Sequence, residues 1–156
     1  MGKKKLLIGI VVLLLTASGW SGWVIWQRSQ PIPVTPSVLS ASGMSVVVPL
    51  RSNIEKISQE PEYISQKKII TAVYQIGGVA VTITQQSKPA DVSLDQIDTQ
   101  ERFSTSVGTV YVLKSLPGAR QSIIETADAW IYVTTSSSLD YATYKQFVAG
   151  LVAVAR

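Results

Sequence analysis

Two short groups of polar residues have spacings that could support catalysis. Ser65 and Lys68 match S-x-x-K, the nucleophile motif of penicillin-recognising enzymes, but the companion S-D-N and K-T-G motifs do not occur in the chain. Glu60 and Glu62 supply the two carboxylates that an acid–base hydrolase needs. Pro61 lies between them and favours an extended segment, in which alternate side chains point to opposite sides. We interpret both groups as surface features and keep a hydrolase using carboxylates or a serine–lysine pair as an alternative function.

A third group consists of acidic residues at helical spacing, which predicts a short helix over residues 91–102. Its acidic face would present a site for a cation or a basic partner, although the glycine and the dense D-x-D pattern of a calcium loop are missing. The favoured interpretation is therefore a solvated helix face made of Asp91, Asp95, Asp98 and Glu101. The chain also contains no histidine and no cysteine, which excludes Ser-His-Asp triads, thiol chemistry, disulfides and zinc sites built on those residues. We predict no catalytic residue, no metal and no cofactor.

Trp130 is the candidate binding residue of the C-terminal part of the chain. It begins the run WIYVT, where it could serve as an aromatic ligand platform or pack in the core. We favour the core, with Trp130 and Tyr132 directed toward a C-terminal helix and Ile131 and Val133 toward the less covered side. That helix is predicted over residues 140–154, with an apolar stripe of Tyr144, Phe147, Val148 and Leu151.

Alternating apolar residues and turn signals predict the strands that would position these residues. The run VAVTIT buries every second side chain, and QIGG before it is typical of a hairpin turn. The predicted strands are residues 45–48, 69–74, 79–85 (which includes VAVTIT), 108–113, 122–126 and 130–134. The predicted fold class is α+β: an N-terminal transmembrane helix, then a small antiparallel β-sheet domain with a short middle helix and a C-terminal helix packed on the sheet.

The N-terminal segment has the composition of a membrane anchor. Residues 6–26 carry no charge and would span a bilayer as a helix. Basic residues before the span and tryptophans at its end predict a single-pass signal anchor of the cell membrane, with the N-terminus in the cytoplasm and the C-terminal domain outside. A cleaved signal peptide is the alternative. The predicted membrane-interface residues are Lys3, Lys4, Lys5, Trp20, Trp23, Trp26 and Arg28.

The charge distribution limits the partners. Four basic residues, Lys3, Lys4, Lys5 and Arg28, account for the net charge of +4, so the rest of the chain is neutral and nucleic-acid binding is not predicted. The predicted organisation is a cytoplasmic flank (1–5), the transmembrane segment (6–26), a proline-rich linker (27–42) and an extracytoplasmic domain (43–156). Ser18 and Gly22 form a small-xxx-small pair, which predicts weak dimerisation through the helix.

Three segments follow one another between residues 67 and 152: TAVYQIGGVAVTITQQ, VGTVYVL and IIETADAWIYVTTSSSLDYATYKQFVAGL. In this order they resemble the small extracytoplasmic domain of unknown function found in membrane-anchored anti-sigma factors and sporulation lipoproteins of Gram-positive bacteria. The resemblance implies a surface-tethered, non-catalytic module and assigns no role to any residue. The five-residue flank leaves no room for a sigma-binding domain. The predicted function is that of a membrane-anchored binding or envelope-sensing domain. Its predicted partners are the lipid bilayer and an unidentified envelope protein or ligand. An accessory subunit of a membrane or surface assembly is a further alternative.

Overall fold

A computed structural model describes residues 26–114 and 118–154 of the chain. Contacts divide the chain into one unit of residues Met1–Gln30 and a second of residues Pro31–Arg156, called here the folded unit. Within the first unit, residues 26–28 form a helical turn in which the Trp26 side chain is exposed. The architecture given below is that of the folded unit.

The described residues of the folded unit form two α-helices, a 3-10 turn at Arg51–Asn53 and nine strands. The helices are α1 (Pro36–Ser42) and α2 (Tyr141–Ala149). The strands are β1 (Val46–Pro49), β2 (Lys56–Ile64), β3 (Ile69–Ile76), β4 (Val79–Ser87), β5 (Thr99–Ser104), β6 (Thr109–Leu113), β7 (Gln121–Glu125), β8 (Ala129–Thr135) and β9 (Leu151–Val154).

The strands form two antiparallel sheets. The large sheet has seven strands in the order β2-β3-β4-β8-β7-β6-β5, and the small sheet pairs β1 with β9. Gly77 and Gly78 join β3 to β4 with φ of 56° and 72°, the conformation that a two-residue type I′ turn requires and that glycine adopts without strain. Consecutive hairpins build β2-β3-β4 and β5-β6-β7-β8, and the pairing of β4 with β8 joins the two halves.

One face of the large sheet packs on the main core, together with α2 and the small sheet. The helix contributes Tyr144, Phe147 and Val148, and the small sheet contributes Val46, Val48 and Leu151. The N-terminal part of the folded unit also belongs to this core: Ile32 is 1% exposed, and Val38 of α1 is buried. Residues 31–42, predicted as part of a spacer, therefore contribute to the packing of the domain.

The opposite face carries a second, smaller apolar cluster that contains Trp130. This residue packs with Leu94, Tyr111 and Ile123, whereas Ile131 and Val133 belong to the main core. The predicted orientation of β8 is thus reversed. The reason is the register of the sheet, because directly paired residues share a face, and Ile131 is paired with the core residue Ile124.

The predicted α+β fold class is wrong. Strands account for 47% of the described residues and helices for 17%, so the folded unit is mostly β. The short middle helix predicted over residues 91–102 does not form; a loop occupies residues 88–98 and β5 follows it. The C-terminal helix ends at Ala149, and the last part of its predicted span is strand β9.

The localisation prediction also has to be corrected. Within residues 26–114 and 118–154, no helix has the length and apolar character needed to cross a lipid bilayer. This finding contradicts the predicted transmembrane signal anchor and the single-pass placement in the cell membrane, and both are withdrawn. Residues 6–25, from which most of that prediction came, lie outside the described residues.

Candidate functional site

The candidate binding surface lies on the face of the large sheet opposite the main core, in the part that is left uncovered. Register places Thr71 of β3 opposite Thr84 of β4, and Thr84 opposite Tyr132 of β8. A second row runs from Val73 through Thr82 to Thr134. All these side chains are half-buried and point to the side away from α2. With Gln86 they define the open face: Thr71, Val73, Thr82, Thr84, Gln86, Tyr132 and Thr134.

The open face is uncharged and rich in hydroxyl groups. The Gln86 amide nitrogen donates to the Tyr132 hydroxyl over 3.2 Å, which fixes the tyrosine side chain over the sheet. Partial burial raises the pKa of Tyr132 above its ordinary value. Charged side chains border the face instead, with Lys56 and Glu62 paired to β3 from the edge strand β2. This arrangement offers hydrogen-bond donors and acceptors to a ligand without a net charge.

Residues 88–98 cover the other part of this sheet face. Leu94, which is buried, and the half-buried Ile97 lie over the cluster of Tyr111, Ile123 and Trp130. Trp130 is 6% exposed, and its indole N–H has no acceptor among the described residues. Trp130, for which the sequence favours core packing over ligand binding, is therefore buried beneath a loop, next to the open face but not part of it.

A charged network fixes the border between the covered and open parts. Lys88 forms an ion pair with Glu125 over 2.6 Å, and the Tyr111 hydroxyl donates to the same carboxylate over 3.0 Å. The Lys88 ammonium, followed by the Tyr111 hydroxyl, outweighs the effect of burial and holds the pKa of Glu125 below its usual range. Arg102 lies 4.7 Å from the centre of the Tyr111 ring. The network ties the start of the loop of residues 88–98 and strand β5 to Tyr111 of the covered cluster.

The predicted acidic face is not assembled. Asp95 pairs with Arg102, Asp98 pairs with Lys114, and Glu101 pairs with Lys145 of α2, while Asp91 lies exposed in the loop. The Lys145 ammonium and the Tyr141 hydroxyl both donate to Glu101 and lower its pKa. Within the described ranges, no group of three or more acidic side chains is placed to hold a metal ion. These carboxylates join elements of the fold.

The other sequence candidates for catalysis lie exposed on β2 and on the turn that follows it. Ser65 and Lys68 are exposed in the turn between β2 and β3. Glu60 and Glu62 are exposed on β2, on either side of the buried Pro61. The Glu62 carboxylate accepts a hydrogen bond from the Gln59 amide over 3.3 Å. The described structure brings neither pair together with a further polar group that would activate it.

Most of the predicted membrane-interface residues cannot be placed. Lys3, Lys4, Lys5, Trp20 and Trp23 lie outside the described residues. Trp26 and Arg28 lie in the helical turn of residues 26–28, and both are exposed.

Sequence reasoning missed the open face as a site, although part of the signal was present. The alternation in β4 predicted Val81 and Ile83 on the buried side and Thr82 and Thr84 on the wet side, and the structure confirms this. The hairpin turn places β3 beside β4, but the contribution of β8 depends on register between strands distant in sequence, which no local pattern specifies.

Comparison with known proteins gives no relative: no protein-family model, no curated protein and no solved structure matches the chain significantly.

Proposed function

We propose that the folded unit is a non-catalytic binding module that holds an uncharged, hydroxyl-rich chain, such as a glycan, against the open face of the large sheet. The observation that carries the proposal is the composition of that face. Four threonines, one glutamine and one tyrosine are half-buried on adjacent strands, and none of the seven residues that form the face is charged.

The chemistry of these side chains matches a neutral polyhydroxylated ligand. Threonine hydroxyls and the Gln86 amide can each donate and accept hydrogen bonds. Tyr132 adds an aromatic surface that can pack against the C–H groups of a sugar ring, with its hydroxyl held by Gln86. Three adjacent strands at a spacing of about 4.8 Å provide a strip about 10 Å wide, which suits an extended chain better than a compact molecule.

The surroundings favour binding over catalysis. Carboxylates border the face at Glu62 on one side and Glu125 on the other. Glu125 is engaged by Lys88 and Tyr111, whose contacts favour its ionised form. A glycoside hydrolase needs one carboxyl group that is protonated and placed opposite a second one across the substrate. The open face offers a surface for recognition without such a pair.

The proposal is tested by isothermal titration of the full chain with neutral hexasaccharides: cellohexaose, chitohexaose and maltohexaose. We expect at least one to bind, and Tyr132→Ala to weaken that binding about tenfold because the stacking surface is lost. Tyr132→Phe, which keeps the ring, should retain most of the affinity. Thr84→Val should cost about threefold through one lost hydrogen bond.

The matched control is Thr99→Val on the edge strand β5, which lies at the far side of the large sheet. It should leave affinity unchanged. The proposal fails if none of the three glycans binds, or if Tyr132→Ala binds as tightly as Thr99→Val while both variants retain the far-UV circular dichroism spectrum of the original chain.

A further inference from the structure

A cavity of about 360 Å³ lies on the other side of the folded unit, between the segment before β2, the β3–β4 turn and α2. Its volume is within the range of sites for small ligands. Phe147, which is 2% exposed, and Ile76 and Ile54 provide the apolar part of its lining. Polar groups of Asn53 and Glu55 line the cavity beside them.

Glu55 is held in place by the β3–β4 turn. Its Oε1 accepts a hydrogen bond from the Gly77 N–H over 2.9 Å, and its Oε2 accepts one from the Gly78 N–H over 3.1 Å. Each carboxylate oxygen retains acceptor capacity after these contacts. The Glu55 backbone N–H is fixed as well, because it donates to the Gln75 carbonyl over 2.8 Å. The negative charge at the cavity is therefore preorganised.

Asn53 presents a second acceptor. Its Nδ2 donates to the Gly150 carbonyl over 3.4 Å, and its Oδ1 accepts from the Ser52 hydroxyl over 3.0 Å. Both amide atoms keep hydrogen-bonding capacity after these contacts, and the second lone pair of Oδ1 is the acceptor available to a ligand that donates hydrogen bonds. A Cβ at residue 150 would collide with Asn53 Nδ2, so glycine at this position allows the side chain to adopt its place.

The charge of the cavity lining points to the class of ligand. Glu55 is the charged residue of the lining, and no lysine or arginine contributes to it. No described lysine or arginine forms an ion pair with Glu55. A ligand that satisfies this lining carries a positive charge, donates hydrogen bonds to the two fixed acceptors and places an apolar group on Phe147.

We infer that this cavity is a binding site for a small primary ammonium compound with an apolar substituent. The ammonium group donates to the Glu55 carboxylate and to Asn53 Oδ1, and the substituent packs against Phe147 and Ile76. The site is separate from the open face and does not depend on the glycan proposal.

The test is a two-dimensional NMR titration of the full chain at neutral pH with benzylamine, which is protonated under these conditions. Benzyl alcohol and benzoate serve as the neutral and anionic analogues with the same ring. We expect saturable shifts of the amide signals of Glu55, Gly77 and Phe147 with benzylamine. Benzyl alcohol should bind about tenfold or more weakly because it lacks the charge-assisted hydrogen bond, and benzoate should not bind.

Two variants separate a specific site from general attraction to acidic surface. Glu55→Gln should weaken benzylamine binding about tenfold, whereas Glu60→Gln, which neutralises an exposed carboxylate on β2, should leave it unchanged. If Glu55→Gln disturbs the turn and fails to fold, the comparison of benzylamine with benzyl alcohol on the original chain decides. Equal binding of these two probes, shifts located away from the cavity, or equal effects of the two variants would overturn the inference.

Discussion

Replacing Gln85 with leucine tests how the small sheet is held against the large one. Gln85 lies on β4, is 1% exposed, and points into the main core. Its Oε1 accepts from the Val47 N–H over 2.8 Å, and its Nε2 donates to the Val47 carbonyl over 2.7 Å. One side chain thus satisfies both the N–H and the carbonyl of Val47 in β1.

The size of the effect follows from these two contacts. Val47 is 2% exposed, so Gln85→Leu leaves a buried N–H and a buried carbonyl without partners. Each unsatisfied group costs about 1–3 kcal/mol. Burial of leucine is more favourable than burial of glutamine, which offsets part of this cost. We expect a net loss of about 2 kcal/mol or more, a large share of the roughly 5–15 kcal/mol that stabilises a typical domain.

Urea denaturation followed by far-UV circular dichroism measures this loss, and the neighbouring glutamine is the matched control. Gln86 is half-buried on the open face and makes one 3.2 Å hydrogen bond to Tyr132. Gln86→Leu should cost about 1 kcal/mol or less. If Gln85→Leu unfolds at the same urea concentration as Gln86→Leu, the amide does not hold the two sheets together and the reasoning is refuted.

Three further outcomes are expected. Phe147→Ala should destabilise the folded unit by about 3–5 kcal/mol, measured by the same denaturation, and an unchanged midpoint would place the residue outside the core. A chain that begins at Val38 should be less stable than one that begins at Pro31 by about 2–4 kcal/mol. The shorter chain loses the buried side chain of Ile32 and the hydrogen bond from its N–H to the Pro49 carbonyl, and equal stabilities would contradict this packing. Because Lys88 lowers the pKa of Glu125 in the folded state, the contribution of this pair is present above the unfolded carboxyl pKa of about 4.3 and is lost as pH falls through the lower folded value. Stability of Glu125→Gln measured between pH 6 and pH 2 should fall less steeply than that of the original chain, and parallel curves would refute the linkage.

The central hairpins could be predicted because their signals are local. Alternation of apolar and polar residues along β4, together with the two glycines of the turn, specifies both strands and their inner side. The hairpin of β7 and β8 follows from the same kind of pattern. In these segments the burial of alternate side chains agrees with the intrinsic preferences of the residues.

The edge strands could not be predicted, because few of their residues are fully buried and their apolar residues do not alternate regularly along the sequence. Along β2 only Pro61 is buried, and the register shifts between Ile57 and Gln59 and again before Glu62. The spacing of the acidic residues suggested a helix that would have included the start of β5. In the structure, every second residue of β5 (Thr99, Glu101 and Phe103) is partly buried, as expected of a strand. Tertiary pairing overrides local pattern at such positions.

The orientation of Trp130 was wrong for a different reason. Strand β8 buries Ile131 and Val133 on one face and, near its start, Trp130 on the other. The aromatic pair Trp130 and Tyr132 and the β-branched pair Ile131 and Val133 are both suited to burial. Residue type alone therefore does not show which pair packs against α2. The register with β7 and the loop of residues 88–98 decide this, and both depend on contacts distant in sequence.

Mapping the bound glycan on the sheet tests the central proposal most directly. The full chain, labelled for NMR, is titrated with the hexasaccharide that binds most tightly in calorimetry. The proposal predicts saturable shifts at Thr71, Thr84, Tyr132 and Thr134, with the signals around Glu55 unchanged. Shifts confined to other parts of the chain, or no shift with cellohexaose, chitohexaose or maltohexaose, would contradict the assignment of the open face as the binding surface.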